Sequence, residues 1–293
     1  MRSTIMLAVA LGVCGFALAC SPQAQTTARS PCDQPPDRVI RLHDLRYGPA
    51  PLERLDLFLP RSRAGEPLLV MLHGGGWSGG DKAPYGIIAR HLSTCGMAVA
   101  NIDYPLGPAI HSQTQAASTL AALQWLQGKA ALYGYAPDRT SLLGHSAGAQ
   151  IATLAVLDPA LAHARRGVAV RGVIAISGFG YSPPQPSEVA DLPLYLAQFY
   201  RAAFGSAATR WQRYDVIRYV HAGPPAFLII HARDDTVAPE EDSSAFAVAL
   251  RRAGTSVEYL QPSDRDHNSV LADVPLVPDD ETGRAIERFI LSR

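Results

Sequence analysis

Sulfur and net charge are what this sequence has least of. Its 293 residues hold four cysteines and four methionines, and 26 Lys plus Arg are matched by 26 Asp plus Glu. With no basic excess, the chain lacks the electrostatic footprint that a phosphate backbone requires, so a nucleic-acid partner is not expected. No HExxH and no paired-cysteine spacing occurs, so neither a metal nor another cofactor is expected. No internal repeat is visible, and the only biased stretch is a Ser/Pro/Gln/Thr-rich segment that ends near Asp37.

The N-terminus carries the longest uncharged run. Arg2 precedes an alanine-rich apolar stretch from Ser3 to Ala19 that ends Ala17-Leu18-Ala19-Cys20. A basic start, an apolar middle and small residues before a cut describe a signal peptide, and the run is short for a membrane span. Cysteine directly after Leu-Ala also has the form of a bacterial lipobox, with Cys20 acylated as the new first residue. Ordinary signal cleavage nearby is the alternative, which would leave a soluble periplasmic or secreted protein. Ser21, rather than Asp, after the cysteine points by analogy to the outer membrane. The expected organisation is a signal peptide over 1–19, a tether over 20–37 and one domain over 38–293. Cys14 leaves with the signal and Cys20 would carry lipid, so Cys32 and Cys95 remain, either as a disulfide in an oxidising compartment or as two thiols.

Two motifs carry chemistry. Gly144-His145-Ser146-Ala147-Gly148 follows a short apolar stretch and precedes the helix-forming run Ala149 to Leu157. A serine on a sharp strand-to-helix turn needs small neighbours, and the helix start aims N–H groups at the place where negative charge would develop. His73-Gly74-Gly75-Gly76-Trp77 follows the apolar strand Pro67 to Leu72. Consecutive glycines let backbone N–H groups approach a ligand unobstructed, as an oxyanion hole requires.

Together with Gly80-Asp81-Lys82, Asp103-Tyr104-Pro105 and GHSAGAQIA, these motifs resemble the α/β-hydrolase carboxylesterases. The similarity is to the branch that contains hormone-sensitive-lipase-like esterases, feruloyl-esterase-like enzymes and kynurenine formamidases, over roughly residues 40 to 293. The resemblance implies a Ser-His-Asp triad in the chain order serine, acid, histidine. Of the nine histidines, only His267 follows the acid-bearing segment. That segment, His231-Ala232-Arg233-Asp234-Asp235-Thr236-Val237-Ala238-Pro239, departs from the family's H-G-x-x-D-x-x-V-P at Ala232 and Ala238. Its phase places the acid on Asp235, with Asp234 as the alternative. Ser146 is then the nucleophile, His267 the base, and N–H groups of Gly75, Gly76 and Ala147 the oxyanion hole. Asp81 is expected to anchor the glycine loop.

Strands near 68–72, 97–102, 140–145, 171–176, 226–231 and 256–260 alternate with helices near 82–94, 113–133, 147–157, 240–253 and 279–291, after an antiparallel hairpin over Val39 to Leu59. Such alternation predicts an α/β fold with a mostly parallel sheet covered on both faces. The long aromatic segment between Ser177 and Pro225 is expected to cap the site over about 178–224. The expected activity is hydrolysis of short-chain acyl or aryl esters. Arylformamide hydrolysis is the alternative within enzymes, and a non-catalytic binding module the alternative outside them.

If Cys20 carries lipid, Cys20→Ala should move the protein from the detergent-extracted fraction to the soluble or unprocessed one. Each buried CH₂ of an acyl chain contributes about 0.8 kcal/mol of membrane affinity, so removing the chains removes the hold. A wild-type protein that fractionates as soluble refutes lipidation.

Overall fold

The computed structural model describes residues 32, 39–61, 65–107, 109–223 and 225–293. The segments expected to be a signal peptide (1–19) and, apart from residue 32, most of a tether (20–37), with Cys20, lie outside them. Among the described residues, eight strands form one sheet: β1 (Val39–Arg46), β2 (Arg54–Pro60), β3 (Glu66–Leu72), β4 (Ala98–Ile102), β5 (Tyr135–His145), β6 (Gly172–Ile176), β7 (Ala226–Ile230) and β8 (Val257–Leu260). Their spatial order is β1-β2-β4-β3-β5-β6-β7-β8. β2 pairs antiparallel with β1 and with β4, and every other pair is parallel.

β3, β4 and β6 are buried along their whole length, as strands covered on both faces must be. In β3 the alternation of Cβ directions divides the side chains between two cores. Leu68, Val70 and Leu72 join one, and Leu69 and Met71 join the other. The first core is closed by α2 (Ser112–Tyr133) and α3 (Ala147–Leu157); the second by α1 (Gly86–Thr94) and α7 (Glu281–Leu291). All eleven residues of α3 are buried, which suits a helix without a polar face. α7 buries Thr282, Ala285, Ile286, Phe289 and Ile290, a stripe at helical spacing, and Asp280 caps it by accepting the Gly283 N–H.

β5 begins five residues earlier than the expected strand. Tyr135 and Ala136 already pair with Glu66 and Pro67, and a register shift follows before Leu68 meets Thr140. The turn-like Pro137-Asp138 hides this opening stretch in the sequence. Between β6 and β7 the chain forms α4 (Leu194–Phe204) and three 3₁₀ turns. Cys32 and Cys95 form a disulfide across 63 residues. His91 lies beside it, its ring nitrogen within 4.8 Å of both sulfurs, but bonded sulfurs offer no thiolate to a metal. Among the described residues no helix is long and apolar enough to cross a membrane.

Asp242, in the first turn of α5 (Glu240–Arg252), ties the segment after β6 to the body. Its carboxylate accepts the Gly180 N–H at 2.7 Å and the Tyr200 hydroxyl of α4. Burial pushes this carboxyl up from 3.8 to about 6, against the hydrogen bonds from Gly180, Tyr200 and Ser182. The folded value exceeds the unfolded one, so the native state keeps a proton that the unfolded chain has released. Stability from this group is therefore full below about pH 4 and falls as pH rises through 6. Asp242→Asn carries no such charge, so its stability relative to wild type should rise over that window by on the order of 2 kcal/mol. Urea midpoints at pH 4, 5, 6 and 7 measure this, and a constant difference between the two proteins refutes it.

Candidate active site

Sterics explain why G-x-S-x-G stands where it does. Ser146 joins β5 to α3 at φ 55°, ψ −123°, a conformation non-glycine residues rarely adopt. A Cβ on Gly144 would lie 2.2 Å from the Gly148 carbonyl oxygen, and one on Gly148 would lie 2.5 Å and 2.6 Å from the carbonyl oxygens of Leu72 and His73. Both positions therefore exclude a side chain, and their closeness brings the end of β3 against the start of α3.

The structure brings Ser146, His267 and Asp235 together from the ends of β5, β8 and β7. His267 Nε2 lies 2.9 Å from Ser146 Oγ, and Nδ1 lies 2.8 Å from Asp235 Oδ2. The other Asp235 oxygen accepts the N–H groups of Val237 and Ala238, each at 2.9 Å. Burial alone would raise this carboxyl. The bond from His267 and those two N–H groups outweigh it and hold Asp235 at about 2. It is therefore ionised at neutral pH, so Nδ1 carries the hydrogen and Nε2 is left to accept the Ser146 hydroxyl. Asp234 is exposed, and its backbone, not its carboxylate, bonds this region through Arg265 O.

Gly74, Gly75 and Gly76 pass beside the serine. A Cβ on Gly74 would meet the Ser146 Cβ at 3.1 Å, and Gly75 and Gly76 take φ values of 129° and 57°. Among the described residues no hydrogen bond engages the N–H of Gly75, Gly76 or Ala147, while the Gly75 carbonyl accepts from Ser78 and Gly79. The three N–H groups that the sequence singled out are thus unengaged at one end of the sheet.

The loop is held differently from expectation. Asp81 is exposed and caps its own turn through the Ala83 N–H. Asp103 supplies the anchor instead: Oδ1 accepts the Lys82 N–H at 2.6 Å, and Oδ2 lies 3.2 Å from Lys82 Nζ. Asn101 Nδ2 donates to Lys82 O. Burial alone would lower the Lys82 ammonium, but the carboxylates of Asp103, Asp56 and Asp44 outweigh it and hold the group charged. Tyr104 stacks on His73 at 4.2 Å and donates to its carbonyl, while His73 Nδ1 donates to Gly74 O. Trp77 is fully buried and donates to Gln150 Oε1, so it braces the loop from beneath.

The six aromatics from Tyr195 to Tyr214 divide into two sets. Tyr200, Phe204, Trp211 and Tyr214 are buried and pack on one another. Phe199 is half-buried, and Tyr195, edge-on to it, is exposed. A Cβ on Gly76 would lie 2.5 Å from the Phe199 ring, so Phe199 of α4 covers the glycine loop directly. Spacing alone could not separate these sets, because α4 is a short helix between proline-broken sequence on one side and 3₁₀ turns on the other.

Sheet order, elbow and glycine loop define an α/β hydrolase. Residues 69–271 match the family described as alpha/beta hydrolase fold, and the chain belongs to that family. The chain is 26% identical over 245 residues to a probable isoprenylcysteine alpha-carbonyl methylesterase, ICMEL1, of Arabidopsis thaliana, covering 78% of this chain and 51% of that protein. It is 29% identical over 244 residues to Esterase LipQ of Mycobacterium tuberculosis, covering 78% and 57%. Against kynurenine formamidase of Danio rerio the figures are 27% over 236 residues, covering 78% and 75%. The chain thus spans little more than half the length of the first two relatives. Among solved structures, Esterase B of Lactobacillus rhamnosus, inhibited by a C4-C4 tributyrin phosphonate, superposes with a TM-score of 0.74 at 21% identity, over 88% of this chain and 87% of that one. That likeness concerns the fold.

If Asp235 orients His267, Asp235→Asn should lower kcat by roughly 10⁴ at unchanged fold, because the amide favours the wrong imidazole tautomer. Asp234→Asn should leave kcat within about twofold, as expected of an exposed surface substitution. Steady-state ester hydrolysis by both variants checks the assignment, and equal losses refute it.

Proposed function

We propose that this protein is a serine carboxylesterase acting on small esters, with Ser146 as nucleophile, His267 as general base and acid, and Asp235 as the orienting carboxylate. The observation that carries this reading is the continuous hydrogen-bonded line Ser146 Oγ–His267 Nε2, His267 Nδ1–Asp235 Oδ2, beside a glycine loop with unengaged N–H groups. His267 Nε2 takes the Ser146 proton as Oγ attacks the acyl carbon. The N–H groups of Gly75, Gly76 and Ala147 hold the oxyanion, and imidazolium returns the proton to the leaving alkoxide. Water, deprotonated by the same nitrogen, then releases the acid and restores the serine. These steps use neither a metal nor a cofactor.

Phe199 over Gly76 supports a compact acyl site, since a ring against the oxyanion loop leaves little depth beyond it. The tributyrin phosphonate that inhibits Esterase B agrees with short acyl groups. Formamide hydrolysis is the second reading, favoured by the similarity to the Danio rerio kynurenine formamidase over three quarters of that protein. We also place the domain in the periplasm, tethered through an acylated Cys20, on the form of the N-terminal sequence.

A p-nitrophenyl ester series from two to sixteen carbons, with N-formylkynurenine alongside, tests the reading. Each methylene left outside a filled pocket forgoes about 0.8 kcal/mol of burial, so kcat/KM should be highest for acetyl to butyryl esters. Ser146→Ala should lose on the order of 10⁶ in turnover. A maximum at twelve carbons or beyond refutes the compact site, faster turnover of the formamide favours the second reading, and an active Ser146→Ala refutes the mechanism.

A further inference from the structure

We infer that His145 and Tyr85 form a positioning chain that fixes the glycine loop and the His267 loop relative to Ser146; the inference rests on the hydrolase reading above. His145 is the variable residue of G-x-S-x-G, and its ring lies 5% exposed behind the serine. Its Nε2 is 2.7 Å from the backbone carbonyl oxygen of His267, and its Nδ1 is 2.8 Å from the Tyr85 hydroxyl. That hydroxyl oxygen in turn accepts the N–H of Gly74 at 2.8 Å.

The direction of every bond in this chain is forced. A carbonyl only accepts, so His145 Nε2 carries a hydrogen. Burial, reinforced by the neighbouring His267, pushes the His145 imidazole down to about 4, so the ring is neutral near pH 7 and Nδ1 bears only a lone pair. Tyr85 must then donate to Nδ1, which leaves its oxygen as acceptor for Gly74. Protons therefore point one way from Gly74 through Tyr85 and His145 to the His267 carbonyl.

Three separate chain segments meet on this line: the loop after β3, the end of β5 and the loop after β8. A neutral imidazole suits the position because it offers one donor and one acceptor on opposite sides of a rigid ring. Tyr85 sets where Gly74 sits, and Gly74 leads into the N–H groups of Gly75 and Gly76. His145 sets where the His267 backbone sits, and with it the imidazole that faces Ser146. Neither residue is assigned contact with substrate.

The test uses the full-length protein with p-nitrophenyl butyrate, an active-site titration with a fluorophosphonate, and the unfolding midpoint. His145→Gln keeps a donor at the reach of Nε2 and should retain kcat within about threefold, as befits a replacement that preserves the bond. His145→Asn can still meet Tyr85 but falls short of the His267 carbonyl. It should lose about tenfold to hundredfold in kcat, the scale of one buried bond left unmade. Tyr85→Phe should lose a similar factor, and the double variant less than the product of the two, since both cut one line. In each, KM should stay within about twofold and the titre of reactive serine should remain full, because positioning is lost while binding and fold are kept. A purely structural role would instead lower titre and midpoint together, with wild-type turnover per titrated site, and would overturn the inference. So would wild-type kcat in both His145→Asn and Tyr85→Phe, or an equal loss in His145→Gln and His145→Asn. Should His145→Asn not fold, Tyr85→Phe carries the same test. A wild type inert toward both ester and fluorophosphonate overturns the hydrolase reading and this inference with it.

Discussion

The close approach of Gly148 to the carbonyl oxygens of Leu72 and His73 is the constraint on which the site depends. It is a contact of backbone on backbone, with no room for a methyl group, and it fixes the start of α3 against the end of β3. Ser146 and the glycine loop share one location because of it. The positive φ of Ser146 is strained, and such strain persists only where the surroundings over-determine it. Here a helix buried on every side and the fully buried strand β3 supply that determination.

Around this contact the protein invests buried polar groups rather than flexible loop. Lys82 sits among Asp103, Asp44 and Asp56 at 3.2, 3.4 and 3.8 Å. Burying such charges is costly, and the cost is offset only where hydrogen bonds are complete. Asp103 meets the condition with both oxygens engaged by Lys82, and Asp56 accepts from Arg41 and from the Asp44 N–H. A rigid anchor of this kind keeps glycine N–H groups aimed in advance, which is how preorganised donors lower a barrier.

Much of this was legible in the sequence, for identifiable reasons. Most strands and helices followed from apolar runs and their spacing, and α3 began and ended where its motif and helix formers placed it, whereas α4 lies in a segment expected only as a cap. Ser146 and the glycine loop were readable because backbone sterics demand glycine at fixed offsets. His267 and Asp235 needed the chain order of a resembled family, since a loop histidine or a pair of acids has no local signature. What stayed hidden depends on tertiary contact. Asp81 and Asp103 are both acids next to informative residues, and only the folded chain shows that Asp103 faces Lys82. The opening of β5 is masked by Pro137, and the separation of Phe199 from its packing neighbours requires knowing which way α4 turns. His145 gave no signal beyond its place inside the motif.

The Cys32–Cys95 disulfide has a topological meaning as well. It closes a covalent ring that contains β1, β2, β3, α1 and the whole glycine loop with Lys82 and Tyr85, while Ser146, Asp235 and His267 lie outside it. The turn between β1 and β2 exposes Pro51 and Leu52 to solvent within that ring. A protease that cuts there makes two fragments by sequence but one molecule by bonding, because the bridge retains the piece on the amino side of the cut. In an oxidising compartment, the strand pair that begins the sheet can thus be nicked without being shed.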